Sequence, residues 1–196
     1  MPIWNAFNDD VIRVLHVSDN TNHESRFIHH QNQPVEEPMS AERKTHWQQK
    51  LAESRASLLA LLSSLSPAQW TQPVFTEGDT WTVTTVVSHL LDSEKGMSIQ
   101  IHKTRKGEET IPEGFDINRW NAGVQKRVGD LSSAELLAAL ESTRAKTLEV
   151  MNSLKDEDWS RTGRHPSRGV ITIDQYYETI HAHELMHAED MRRALA

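Results

Sequence analysis

Apolar residues recur at intervals of three, four or seven positions in four separate stretches of the chain, which is the periodicity of amphipathic helices. The first stretch begins at Ser40, the second begins at Thr82 and runs to about Lys103, and capping-box patterns at 132–135 and 172–175 open the other two. No stretch shows a convincing strand pattern. The four apolar stripes consist of Trp47, Leu51, Leu58, Leu62 and Leu65, then Val86, Leu90, Met97 and Ile101, then Leu136, Leu140, Leu148, Met151 and Leu154, then Tyr176, Ile180, Met191 and Leu195.

This order of stretches predicts an all-α fold, an up-and-down four-helix bundle with one long crossover connection. The segment 107–129 contains Pro112, Gly114 and Gly123 and is too long for a tight turn. We therefore expect it to cross the bundle, with a short helix near 118–127. The segment 159–169 is expected to be a loop, because it is rich in Arg, Gly and Pro.

Residues 1–39 differ in composition from the rest of the chain. They hold four histidines and many Asn and Gln residues, and nothing in them repeats with a helical period. We predict a poorly structured N-terminal arm at 1–39, followed by one bundle domain at 40–196. The adjacent His29 and His30 are interpreted as part of a polar segment, because no rigid scaffold would hold them around a metal.

Charge and cysteine content limit the classes of function. The chain has no cysteine, which excludes disulfides, thiolate metal sites and cysteine nucleophiles. Its formal net charge of −7, with one compact basic cluster at 103–106, predicts no nucleic-acid partner. There is no apolar run long enough to span a bilayer and no secretory signal pattern at the start. We therefore expect a cytoplasmic protein with no membrane partner.

Two histidines lie four positions apart in the fourth stretch. On a helix His183 and His187 are within ~40° of each other and share a stripe with Ile180 and Met191. Their Cβ atoms would be ~5–6 Å apart, which suits two imidazoles binding one metal ion. The alternative is a pair of hydrogen-bonded core histidines, since a buried imidazole needs a partner. His181 lies ~200° from His183 and is predicted to face solvent.

The residues from His183 to His187 also spell the HExxH signature of zinc proteases. Its extended form requires a glycine and then a third histidine, where this chain has Asp190 and Arg193. Only nine residues follow His187, so no distant downstream ligand is available. The protease interpretation is therefore disfavoured, and the third ligand is expected upstream.

The candidate for the third ligand is in the second stretch. His89 lies beside the apolar stripe of that helix, where a histidine is either a hydrogen-bonded core residue or a ligand. Glu94 is the competing donor, although it lies ~140° around the helix from His89. A fold that lays the second helix against the fourth would bring His89 to the other two histidines.

Three segments, in this order, resemble the DinB/YfiT-like family. The motif WTV at 81–83 and the motif HLLDSE at 89–94 resemble that family's second helix. The motif FDINRWN at 115–121 resembles its linker, and HxxxH at 183–187 resembles its last helix. Each motif is weak alone, and the order and spacing of all of them give the resemblance its specificity.

The resemblance covers roughly 40–196. It implies a four-helix bundle with a three-histidine site formed by His89, His183 and His187, which would bind a divalent metal, with zinc or nickel expected. Three neutral ligands leave at least one coordination position open, as in catalytic zinc sites. The resemblance also implies an enzyme that acts on a small-molecule electrophile, either as a thiol S-transferase with a low-molecular-weight thiol or as a hydrolase.

Glu94, Glu184 and Tyr176 are the candidate catalytic residues, as nearby groups able to transfer a proton. Two other classes of function stay open. The chain could be a non-catalytic protein that binds a metal or small molecule in stress or detoxification, or a structural bundle whose histidines are merely packed. A homodimer is a further expectation.

Overall fold

The computed structural model describes residues 40–77 and 79–196. The arm predicted at 1–39 lies outside the described residues. In chain order the elements are α1 (Ser40–Ser63), α2 (Pro67–Trp70), β1 (Pro73–Glu77), β2 (Asp79–Thr82), α3 (Val83–Lys106), α4 (Ile117–Ala122), α5 (Val124–Val128), α6 (Ser133–Asn152), a 3-10 turn (Asp156–Asp158), β3 (Thr162–His165), β4 (Gly169–Thr172) and α7 (Ile173–Leu195). The four long helices α1, α3, α6 and α7 form the bundle.

Three of the long helices begin at the caps that the sequence predicts. The Thr82 hydroxyl accepts a hydrogen bond from the first turn of α3. Ser132 and Glu135 form a reciprocal capping box at α6, and Thr172 and Gln175 form another at α7. Such caps satisfy backbone N–H groups that have no partner inside the helix, so they fix where each helix begins.

The long helices run up, down, down and up. The C-terminal halves of α1 and α7 pack with the N-terminal halves of α3 and α6 in one core cluster, and the opposite halves form a second cluster. The helices α3 and α6 are therefore parallel neighbours, and the segment between them returns the chain along the bundle. The four-helix bundle with one long crossover connection is confirmed.

Two antiparallel β-hairpins, β1–β2 and β3–β4, lie in the connections from α1 to α3 and from α6 to α7. The expectation that the chain contains no strands was wrong, and so was the loop predicted at 159–169. Each strand has only four or five residues, too few to show an alternating pattern beside long helical stripes. The first hairpin packs against α7 and the second against α3.

Each long helix buries one face and exposes the other. Between the two core clusters lies a layer of buried polar side chains instead of a continuous apolar interior. Within the part of the chain that the structure describes, no helix has the length and apolar character needed to cross a membrane.

Candidate metal centre

Three buried histidines from two antiparallel helices meet inside the bundle. His89 comes from α3, His183 and His187 come from α7, and none is more than 4% exposed. The Nε2 atoms of His89 and His183 lie 3.1 Å apart. One ring nitrogen from each histidine lies within 4.8 Å of those of the other two. The structure thus brings together the three residues named as metal ligands from the sequence.

Asp190 fixes the orientation of the His187 ring. Its carboxylate accepts a hydrogen bond from His187 Nδ1 at 3.1 Å and another from Arg193 at 2.5 Å. The proton on Nδ1 leaves Nε2 of His187 as the nitrogen that can bind a metal. Burial raises the pKa of Asp190, but the bonds and charges of His187 and Arg193 outweigh this and hold the pKa below its ordinary value.

Burial favours the neutral form, which metal binding requires, in two of the histidines, His89 and His183. Burial lowers the pKa of His89 and of His183 well below 6.5, and the neighbouring His187 lowers both further. Around a tetrahedral zinc ion two ligand nitrogens are separated by ~3.3 Å, close to the 3.1 Å between His89 and His183. Among the described residues this cluster contains no carboxylate. The donor set therefore fits a divalent ion bound by three neutral ligands.

The first hairpin covers one side of the cluster with aromatic rings. Trp81 meets His89 edge-on at 5.3 Å between ring centroids, and Phe75 lies 6.1 Å from His187. Phe75 and Trp81 also contact each other across the hairpin. This side of the candidate site is consequently apolar and closed to water.

A cavity of about 440 Å³ lies beside His183. Its walls come from α3, the crossover segment and the second hairpin, and they include Ser93, whose hydroxyl lies 3.5 Å from His89 Nε2. The Arg127 guanidinium lies over the Trp120 ring at 3.8 Å and pairs with Asp92 of α3 at 2.7 Å. The crossover segment is thereby attached to α3 over the cavity.

Glu94 and Glu184, two of the candidate catalytic residues, lie in a buried network of charged groups. Glu94 accepts hydrogen bonds from Arg55 at 2.6 Å and from Arg144 at 2.7 Å. Glu184 accepts from Arg55 at 2.6 Å and from Arg144 at 3.0 Å. Thr147 adds a bond to Glu94. All four carboxylate oxygens are engaged, and each long helix contributes one charged residue.

Sequence reasoning missed the two arginines of this network. Arg55 falls in the α1 stripe with Leu51 and Leu58, and Arg144 falls four positions after Leu140 in the α6 stripe. Both arginines are about 5% exposed. An arginine inside an apolar stripe needs a buried acidic partner, and that signal could have linked them to the two glutamates.

Tyr176 and His181 lie apart from the histidine cluster. The Tyr176 hydroxyl donates to the Arg164 carbonyl at 2.9 Å, and burial raises the pKa of this phenol above its ordinary value. His181 was expected to face solvent, but it is half-buried and its Nδ1 donates to the Lys50 carbonyl at 3.0 Å. The reason is that α7 packs directly against α1 on that side.

Two sequence comparisons point to the same protein family. The family model of the DinB superfamily matches residues 50–191. A protein of Bacillus subtilis (strain 168) named "putative metal-dependent hydrolase YfiT" is 26% identical over 163 residues, which span 81% of this chain and 89% of the relative.

Three solved structures have a similar fold. YfiT from Bacillus subtilis, described as a four-helix bundle of unusual topology, has a TM-score of 0.64 at 23% identity, over 91% of this chain and 93% of that chain. The four-helix bundle protein TT2238 has a TM-score of 0.57 at 25% identity, over 76% and 98%. A mycothiol-dependent maleylpyruvate isomerase has a TM-score of 0.61 at 17% identity, over 78% and 60%. The family match over most of the chain, together with the bundle and its histidine cluster, shows that the chain belongs to the DinB superfamily.

Proposed function

We propose that the chain is a metal-dependent hydrolase that acts on a small-molecule electrophile. The main support is geometric: three buried histidines converge on one point, and one of them, His183, lines a cavity of about 440 Å³. Histidines that served packing alone would not need to converge beside a cavity. The name of the similar YfiT protein supports the same activity.

His89, His183 and His187 would hold the divalent ion, for which we propose zinc or nickel. When bound, such an ion supplies Lewis-acid activation of the electrophile and of its nucleophile. Asp190 keeps the His187 ring in the tautomer that presents Nε2. The rings of Phe75 and Trp81 exclude water from one side, which strengthens electrostatic interactions at the centre.

Proton transfer by Glu94, Glu184 and Tyr176 stays a prediction, and their contacts favour a structural role. Both glutamates pair with two buried arginines, so neither has an oxygen left for a substrate. The Tyr176 hydroxyl is committed to a backbone carbonyl. We propose that the glutamates hold the helices at the spacing that the histidine cluster needs.

Thiol S-transfer is a second candidate function. The chain has no cysteine, so any thiol nucleophile would come from a low-molecular-weight thiol held in the cavity. The cavity volume falls within the ~300–1,000 Å³ range of small-molecule sites and could take such a co-substrate. One distant structural neighbour is described as mycothiol-dependent, which supports testing this activity.

The experiment is turnover of p-nitrophenyl acetate by tag-free protein reconstituted with zinc or nickel, with and without glutathione. We expect metal-dependent hydrolysis that is lost in the metal-stripped protein and in His187→Ala. The matched control His181→Ala should retain it, because His181 faces α1. Turnover only with glutathione would favour the transferase. Metal binding without turnover would favour the non-catalytic binding protein, and no bound metal would leave the structural bundle.

A small molecule is the partner that we propose for this site. The homodimer, the cytoplasmic location and the absence of a nucleic-acid partner stay predictions. Light scattering of the purified protein measures whether it is a homodimer.

The net charge of −7 predicts that the protein has no salt-sensitive affinity for duplex DNA at physiological ionic strength. A nanomolar complex with DNA would contradict this prediction.

A further inference from the structure

A fourth buried histidine lies in the wall of the same cavity. His165 ends strand β3, is 3% exposed and faces the cavity together with His183. The strand beside it is fixed, because the Arg164 carbonyl accepts hydrogen bonds from both Tyr176 and Thr110. His165 is therefore presented to the cavity by a rigid element, as binding residues usually are.

Hydrogen bonds fix the protonation of the His165 ring. The backbone N–H groups of Ser167 and Arg168 both point at Nδ1 from 3.3 Å. Backbone amides only donate, so Nδ1 is the acceptor and the ring proton is on Nε2. Burial, with the charge of Arg168, lowers the pKa of His165 to about 3. The ring is consequently a neutral N–H donor throughout the physiological range.

The hairpin turn explains why these two amides reach the ring. His165 pairs with Gly169 across the hairpin, and Gly169 has a φ of 71°, in the left-handed region that favours glycine. The tight turn folds the 166–168 segment back over the imidazole edge that carries Nδ1. The opposite edge of the ring, which carries Nε2–H, is turned away from that segment.

The rest of the cavity wall indicates what the donor would bind. Much of the lining is apolar, with Ile111, Phe115 and Trp120 from the crossover segment and Ile99 from α3. Such a wall suits an apolar substrate body, and specificity in such sites comes from a few placed polar groups.

We propose that His165 is a substrate-binding residue that donates a hydrogen bond from Nε2 to an oxygen of the electrophile activated at the histidine centre. The inference rests on the proposed hydrolase function and names its substrate class as compounds with an apolar body and a carbonyl-type oxygen at the reacting atom. A neutral donor there stabilises negative charge that develops on this oxygen during attack.

The test uses benzohydroxamate, which combines a metal-binding carbonyl group with an apolar ring, titrated calorimetrically into the zinc-reconstituted full chain. His165→Leu removes the donor, and His165→Gln keeps an N–H at a similar distance from the backbone. We expect about a tenfold or larger increase in Kd for His165→Leu and recovery of most of that loss in His165→Gln. Zinc content should equal that of the unsubstituted protein in both variants.

The protonation of His165 can also be measured on the unsubstituted protein, where it does not depend on whether a variant folds. Long-range ¹H–¹⁵N spectra between pH 5 and 8 should show His165 as the neutral Nε2–H tautomer throughout. Added benzohydroxamate should shift that Nε2–H proton. A proton on Nδ1, an imidazolium, an unmoved Nε2–H signal, or an unchanged Kd in His165→Leu with zinc bound would overturn the role of His165 alone. Absence of bound zinc would instead overturn the proposed function on which it rests.

Discussion

A buried imidazole is tolerated when each ring nitrogen has a use. In the centre, His187 donates from Nδ1 to Asp190 and keeps Nε2 for the cluster. His89 and His183 bring their Nε2 atoms to 3.1 Å, a separation that suits two ligands of one ion. Three buried imidazoles whose ring nitrogens converge match a metal site better than ordinary core packing.

Alanine substitution should separate a ligand from its neighbour on the same helix. We expect His183→Ala to abolish stoichiometric zinc binding, because it removes one of three ligands. The control His181→Ala, two positions away, should retain one ion per chain, since its Nδ1 bonds to a carbonyl of α1. Metal analysis of dialysed protein measures both. A variant of His181 that lost the ion while His183→Ala kept it would show that the helical phase of the site is wrong.

Asp190 should affect the zinc affinity of the three-histidine site without binding the ion itself. Asp190→Asn keeps the shape of the side chain and removes the charge that orients and polarises His187. We expect zinc affinity to fall about 10- to 100-fold, the usual effect of losing such a partner. Competition with a chromophoric chelator gives the affinity. Asp174→Asn, at the far end of α7, is the control, and equal affinity in both variants would argue against the role of Asp190.

The spacing of residues in the sequence was enough to predict part of the metal site. Helical geometry sets the relative direction of His183 and His187, so their convergence could be predicted without tertiary information. His89 needed the resemblance as well, because only packing brings α3 to α7. Asp190 was considered only as a mismatch to a protease signature, and His165 fell in a segment predicted to be a loop.

The two hairpins are the elements that shape the site around the helices. The first covers the histidines with Phe75 and Trp81, and the second carries His165 into the cavity wall. Neither hairpin could be predicted from periodicity, because strands of four or five residues are too short to show a clear alternating pattern. Their positions depend on contacts with α3 and α7 that are distant in sequence.

Close packing of the second hairpin on α3 depends on a glycine. A Cβ on Gly163 would lie 2.1 Å from Thr104 Oγ1 and 3.0 Å from a methyl carbon of Thr110. Thr104 is buried in the last turn of α3 and is β-branched, so its side chain cannot rotate away at low cost. We expect Gly163→Ala to lower the free energy of unfolding by about 1–3 kcal/mol in denaturant titrations.

Gly96→Ala is the matched control for Gly163→Ala. A Cβ at Gly96 meets nothing within 4 Å, and the residue lies inside α3. Replacing a helical glycine by alanine should therefore raise the free energy of unfolding by up to about 1 kcal/mol. Equal effects of the two substitutions would contradict the close approach of β3 to α3.

One buried network of ion pairs connects the four long helices. Arg55 from α1, Glu94 from α3, Arg144 from α6 and Glu184 from α7 pair in the layer between the two core clusters. Two cations and two anions balance there. Because desolvation opposes such pairing, the arrangement sets a specific helix register more than it adds stability.

Removing one charge from the network should therefore unfold the bundle more easily. Glu94→Gln leaves two buried arginines with one carboxylate, and we expect the free energy of unfolding to fall by about 3–5 kcal/mol. The exposed Glu53→Gln on α1 is the control and should leave stability nearly unchanged. Full stability of Glu94→Gln with loss of turnover would contradict the structural role and support Glu94 as a catalytic residue.

The number of helices, their caps and the crossover were predictable because each leaves a local pattern in the sequence. The buried pairing of Arg55 with Glu94 was not, because opposite charges 39 positions apart leave no periodic signal. Both glutamates were named from their nearness to the histidines in sequence. In three dimensions their side chains turn toward the arginines, as the ~140° between His89 and Glu94 around the helix suggests.

The three-histidine metal site is tested most directly by the metal content and coordination of the tag-free chain, measured by elemental analysis and X-ray absorption after zinc reconstitution. We expect one ion per chain with three imidazole nitrogens at ~2.0–2.1 Å, and loss of that ion in His89→Ala. An ion retained in His89→Ala, a ligand set that includes the Glu94 carboxylate, or the absence of any bound ion would contradict this expectation.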